Sequence, residues 1–71
     1  MLVLLDDPAF VDALCAHFRR SGFTADPVEG GIVEVELQSA PSRAQAEAEI
    51  RVHLLLWQIL NPDAGVGPAT G

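Results

Sequence analysis

The chain has 71 residues, a formal net charge of −6 and one cysteine, and 49% of its residues are hydrophobic. A chain of this length makes one domain with a small core, and it cannot form an internal disulfide, so self-association is the stabilising device that remains. Its four basic residues are all arginines, which argues against binding to nucleic acid or to anionic membranes, because both depend on clustered positive charge.

No segment of the sequence predicts export or membrane insertion. The apolar run at residues 2–5 has no basic segment before it and is too short for a signal peptide. No stretch reaches the roughly 18 apolar residues that a membrane span needs. Together with the lone cysteine, these features predict a cytoplasmic protein.

A short strand and a helix come first. Residues 2–5 are all apolar and predict a buried strand. Asp7 and Pro8 then supply an N-cap and a first helical residue, and Gly22 is placed for a left-handed C-cap. Since apolar residues recur at helical spacing between these signals, the sequence predicts a helix over residues 8–21.

Two strands are predicted next, at residues 23–28 and 32–37, around a Glu29-Gly30-Gly31 turn. Apolar and acidic residues alternate along the second strand, so one face of the hairpin is expected to be buried and the other to lie in water. Pro27 cannot donate to a strand ladder, which places the first of these strands at a sheet edge. The water-facing residues include Asp26, Glu34 and Glu36.

The last predicted element is a helix over residues 43–60. Ser42 and Gln45 have the spacing of a capping box, and Asn61-Pro62 ends the helix. Residues 63–71 are rich in Gly, Pro and Ala without periodicity, and they predict a disordered tail. The folded domain is therefore expected to cover residues 1–62.

This order of elements predicts an α+β two-layer sandwich, βαββα, with a small antiparallel sheet of order 2-3-1 and both helices on one face. If residues 2–5 are not a strand, the alternative is an αββα unit. The layout resembles the first five elements of a ferredoxin-like split βαβ module that lacks its last strand.

The last helix carries more apolar residues than one side of it can bury. One face, made of Ala46, Ile50, His53, Leu54 and Trp57, is expected to pack on the sheet. A further apolar stripe remains, and it predicts an interface with a second copy or another protein. The predicted interface residues are Val52, Leu55, Leu56, Ile59 and Leu60.

No catalytic, metal-binding or nucleotide-binding motif is present, so the chain is expected to be a non-enzymatic interaction module without metal or cofactor. Cys15 is read as a small core residue. His17 and His53 have no spacing that demands a metal. An alternative function is a small-ligand-binding regulatory domain, which rests on fold analogy. Its candidate ligand contacts are His53 and Trp57.

Four segments carry a resemblance to known sequences. They are Asp-Asp-Pro at residues 6–8, Arg-Arg-Ser-Gly-Phe at 19–23, the hairpin at 29–37 and the helix end at 50–62. Together these segments resemble short uncharacterised proteins of high-GC actinobacteria. The resemblance implies the same order of elements and no particular chemistry.

Overall fold

A computed structural model describes residues 1–69 of the chain. The elements are β1 (Leu2–Leu5), a short 3-10 helix (Pro8–Phe10), α1 (Val11–Arg20), β2 (Thr24–Glu29), β3 (Ile32–Glu36), α2 (Arg43–Leu60) and β4 (Val66–Pro68). The four strands form one antiparallel sheet in the order β2-β3-β1-β4. The α+β sandwich and the order 2-3-1 of its first three strands are thereby confirmed, and the αββα alternative is excluded because β1 is a strand.

The fourth strand is the element that the sequence does not predict. Composition predicts a disordered tail over residues 63–71, whereas Val66 lies opposite Leu5 and Gly67 opposite Leu4 in the sheet. A strand of three residues that contains Gly and Pro has no pattern of its own to reveal it. The last two residues of the predicted tail, 70 and 71, lie outside the described residues.

Local hydrogen bonds explain how the chain returns to the sheet after α2. Pro62 ends the helix, and the Ala64 amide donates to the Asn61 carbonyl at 3.0 Å, closing a turn. The Asp6 amide then donates to the Gly65 carbonyl at 2.9 Å, and Ala64 is buried. The turn therefore delivers the chain to the free edge of β1, where pairing forms β4.

The first helix begins one turn later than predicted. The Asp7 carboxylate accepts from the Ala9 amide at 2.9 Å, as an N-cap should. Residues Pro8–Phe10, however, wind as a 3-10 turn before the α-helix starts at Val11, a common device at helix N-termini. Gly22 follows the helix with a φ of 90°, which is the left-handed conformation predicted for it.

The core lies between one face of the sheet and both helices. A single cluster of buried side chains draws on β1, β2 and β3 and on α1 and α2, which confirms that both helices cover the same face. Burial raises the pKa of the Cys15 thiol, as expected for a cysteine that packs as a core residue. The largest fully buried side chains are Phe18, Leu14, Ile50, Val3, Val33 and Val35.

Candidate functional site

Helix α2 is fixed at both ends by the chemistry that the sequence predicts. At its start the Ser42 hydroxyl accepts from the Gln45 amide at 3.1 Å. At its end the Asn61 amide donates to the Trp57 carbonyl at 2.9 Å. Ala46, Ile50, Leu54 and Trp57 are buried against the sheet, so the opposite side of the helix faces solvent.

The solvent side of α2 is apolar in its C-terminal half. Five large aliphatic side chains lie there with exposed fractions from 49% for Leu56 to 75% for Ile59. In the N-terminal half the same side carries polar residues such as Gln45 and Glu49, both exposed. We call the apolar part the outer stripe, and its residues are Val52, Leu55, Leu56, Ile59 and Leu60.

A groove runs beside the outer stripe, between α2 and β4. Its volume is about 280 Å³, and Leu54, Leu55, Val66 and Pro68 form its apolar walls. Leu55 belongs to both the stripe and the groove, so the two make one continuous surface. Sequence reasoning missed this groove because one of its walls is the strand that it did not predict.

The Gln58 side chain closes the end of this groove by joining α2 to β4. Its Oε1 accepts from the Val66 amide at 3.1 Å, and its Nε2 donates to the carbonyls of Ala64 and Asn61. Val66 would otherwise present an unpaired N–H along the free edge of the sheet, and Pro68 has none. Because both possible donors of this edge are removed, β4 is a poor template for a further strand.

The structure also brings together two histidines from different helices. His17 Nε2 on α1 lies 3.1 Å from His53 Nδ1 on α2, and the His53 ring packs against Phe23 with a centroid distance of 4.9 Å. Burial, followed by the neighbouring His53 and Arg20, lowers the pKa of His17. One hydrogen must sit between the two nitrogens, so the pair cannot be fully protonated and keep this bond.

We expect the stability of the domain to fall as the pH drops below about 6.5, the ordinary pKa of an unfolded histidine. The folded state holds the pKa of His17 lower than that, so in this range the unfolded chain binds more protons than the native one. The contribution of His17 to the free energy of unfolding is therefore complete above pH 6.5, and it is lost as the pH falls toward the lowered pKa. Urea unfolding at a series of pH values measures the effect.

A His17→Gln variant is the control for this pH dependence. It removes the titrating group while the acidic residues of the chain stay unchanged. Its unfolding midpoint should therefore vary less between pH 7.5 and pH 5 than that of the parent. Equal variation in the two proteins would show that other groups set the acid sensitivity.

No family model, curated protein or solved structure matches this chain. The resemblance to actinobacterial proteins and to a ferredoxin-like module therefore stays a prediction.

The two candidate ligand contacts lie in different surroundings. Trp57 is only 2% exposed and packs edge-on against Phe10, with ring centroids 6.0 Å apart. It is part of the core and offers no surface to a ligand, contrary to its prediction as a contact. His53, by contrast, is half-buried and lines an open cavity of about 470 Å³ together with Ser21, Phe23, Leu37, Ser39, Ala40, Pro41, Gln45 and Glu49.

Residues 1–69 contain neither a cluster of metal ligands nor a helix suited to cross a membrane. No group of three or more His, Cys, Asp and Glu side chains is placed to share a metal ion in this part of the chain. Neither of its α-helices has the length and hydropathy of a membrane span. The geometric features that remain are the outer stripe, its groove, the histidine pair and the cavity beside it.

Proposed function

We propose that this chain is a small, non-enzymatic, cytoplasmic interaction module that forms a homodimer through the outer stripe of α2. The observation that carries the proposal is the exposure of five large aliphatic side chains on one side of one helix. Single exposed apolar residues are ordinary on protein surfaces, but a contiguous group of this kind is typical of a binding surface.

Burial of the outer stripe would contribute a large free energy for so small a domain. The exposed fractions of the five side chains together correspond to roughly three fully exposed aliphatic residues. Burying each is worth about 1.5–3 kcal/mol, which gives roughly 5–9 kcal/mol for each copy. This is comparable to the whole unfolding free energy of a small domain, and twice that amount is available to offset the cost of association in a dimer.

The pattern of the stripe suits a second copy with its helix antiparallel. In a two-fold symmetric dimer, if residue i of one copy contacts residue j of the other, then residue j of the first copy also contacts residue i of the second. An axis that passes between Leu55 and Leu56 places these two residues against each other across the interface. The same axis places Val52 of one copy opposite Ile59 of the other. These two kinds of contact are aliphatic on both sides, while the fifth residue of the stripe, Leu60, lies opposite Arg51 of the other copy.

The substitution Ile59→Glu should weaken the dimer, and Leu55→Glu with Ile59→Glu should abolish it. Each places a carboxylate in the proposed apolar seam, where burying an unpaired charge is costly. Sedimentation over a concentration series measures the oligomeric state. Circular dichroism should show unchanged folding, because both side chains are exposed at 67% and 75%.

The matched control is Val28→Glu, which adds the same charge at a residue that is 57% exposed on β2, away from α2. It should leave the dimerisation constant unchanged apart from a small effect of net charge. A parent protein that is monomeric at the highest accessible concentration would contradict the proposal. So would a double variant with the parent's sedimentation behaviour.

The cavity beside His53 favours a second candidate function, a small-ligand-binding regulatory domain. Its walls combine apolar surface from Phe23 and Leu37 with the polar groups of Gln45, Glu49 and His53, a mixture that is typical of ligand sites. A metabolite screen by thermal shift tests it. A ligand that stabilises the parent and not a His53→Ala variant would favour this function, and a screen without such a ligand would count against it.

A further inference from the structure

The side of the sheet opposite the helices is uncovered and carries two kinds of residue. Side chains alternate along each strand, so those between the buried positions of β1, β2 and β3 point to this side. Leu2 and Leu4 are exposed there at 42% and 45%, although the sequence predicts a buried strand over residues 2–5. We call this surface the open face, and its residues are Leu2, Leu4, Thr24, Asp26, Ile32, Glu34 and Glu36.

The strand register separates the open face into two halves. On β1 and the near end of β3, Leu4 lies opposite Ile32 and forms an apolar half. Across β3 and β2, Glu34 lies opposite Asp26 and forms an acidic half. Leu2 is opposite Glu34, so the boundary runs between β1 and β3 at this pair and crosses β3 between Ile32 and Glu34.

The acidic half has more negative charge than its surroundings balance. Asp26 and Glu34 are a like-charge pair directly across two strands, an arrangement that is unfavourable in an isolated sheet. Arg19 lies 3.6 Å from the Asp26 carboxylate in an exposed pair, and the Met1 amine lies 3.0 Å from that of Glu36. Within residues 1–69 Glu34 has no ion pair, so a cation would find its carboxylate available.

The same charge argues against a second copy as the occupant of this face. Of the four arginines, Arg19 reaches the open face, and it is already paired with Asp26, so the open face of a second copy offers Glu34 no free arginine. Self-association through this face would therefore leave the Glu34 carboxylate without a positive partner. The occupant must supply positive charge on one side and apolar surface on the other.

We propose that the open face binds a basic amphipathic helix of another protein. Adjacent strands lie about 4.8 Å apart, so β1 and β2, which flank β3, are separated by about 10 Å, close to the width of one helix. A helix along the face can therefore place an apolar stripe on Leu2 and Leu4 and lysines or arginines beside Glu34 and Asp26. This site is independent of the proposed dimer, because α2 lies on the other side of the sheet.

The test uses the full chain and a synthetic capped peptide of about 18 residues, with leucines at helical spacing and lysines along one flank. When the peptide is added, the changes in amide chemical shift in 15N–1H spectra should be largest at residues 2–4, 26 and 32–36. Asp26→Asn with Glu34→Gln should weaken binding about fivefold or more, and added salt should weaken binding to the parent. The matched pair Glu49→Gln with Asp63→Asn removes the same charge elsewhere and should change Kd by less than about twofold.

Three outcomes would overturn the proposal. Equal weakening by both pairs of variants would mean that the peptide follows net charge alone. The largest shifts at Leu55 and Ile59 would place the peptide on the outer stripe. Shifts of Leu2 and Leu4 when the protein alone is diluted would make a second copy the occupant of the open face.

Discussion

Replacing Phe18 with alanine should leave most of the chain unfolded at 25 °C. Phe18 is fully buried, and its ring packs edge-on against Phe23 with a centroid distance of 5.2 Å. Removal of a buried phenylalanine side chain costs about 3–5 kcal/mol. A domain below about 70–80 residues has a total stability of similar size, so the variant loses nearly all of it. Far-UV circular dichroism and urea unfolding measure the loss.

Two companion variants separate this cavity effect from a general sensitivity to substitution. Phe18→Leu keeps most of the apolar volume and should cost clearly less than Phe18→Ala. Val28→Ala removes an exposed side chain and should change the unfolding free energy by less than about 0.5 kcal/mol. A loss below about 1 kcal/mol in Phe18→Ala would show that Phe18 is not a central part of the core.

The helices could be predicted closely because their boundaries depend on local chemistry. Asp7, Ser42 and Pro62 act within one turn of where they stand, and the bounds of α2 agree with the prediction at both ends. The first turn of α1 differs because a 3-10 turn and an α-helix share the same cap and the same apolar spacing. The positions of the helices could therefore be predicted from the sequence, but the 3-10 conformation of residues Pro8–Phe10 could not.

The strands were harder, since each depends on neighbours that are distant in the chain. The apolar run at residues 2–5 gives no alternation, yet Val3 and Leu5 are buried and Leu2 and Leu4 are not. The difference arises because both helices lie on one side of the sheet and nothing in residues 1–69 covers the other. β4 depends even more on its neighbours, because the free edge of β1 supplies its pairing.

In the candidate site, too, some features can be predicted from the sequence and others depend on distant parts of the chain. The exposure of the outer stripe follows from the limited circumference of α2 that a sheet and one neighbouring helix can cover, and the sequence shows this. The pairing of His17 with His53 needs the relative positions of α1 and α2, and no spacing along the chain contains them. The role of Gln58 needs β4, so in the sequence it is one more polar residue on a helix.

The substitution Gln58→Ala should release β4 from the sheet. It removes one acceptor and two donor contacts that fix Val66, Ala64 and Asn61. With net values of about 0.5–1.5 kcal/mol for each hydrogen bond, the expected loss for the three bonds is about 1.5–4.5 kcal/mol. This loss approaches the free energy that holds a strand of three residues in the sheet. We therefore expect β4 to detach before the rest of the domain unfolds.

Hydrogen exchange provides the measurement and its internal reference. The Asp6 and Ala69 amides donate across the β1–β4 pair, while the Leu5 amide donates to Gly31 on the side of β3. Exchange should accelerate in Gln58→Ala at the first two amides and stay near the parental rate at Leu5. Gln45→Ala, at an exposed residue of the same helix, should alter none of the three.

A Gln58→Glu variant then distinguishes the contribution of the side-chain oxygen from that of the side-chain N–H groups. It retains an oxygen that accepts from the Val66 amide, but it loses the N–H donors and turns a carboxylate oxygen toward the carbonyl of Ala64. If the donor end fixes the turn that precedes β4, this variant should release the strand as fully as alanine does. If the acceptor at the free edge is sufficient, the Asp6 and Ala69 amides should remain protected in Gln58→Glu. Protection in both variants would instead mean that pairing with β1 alone holds β4, and that the amide of Gln58 contributes little to its attachment.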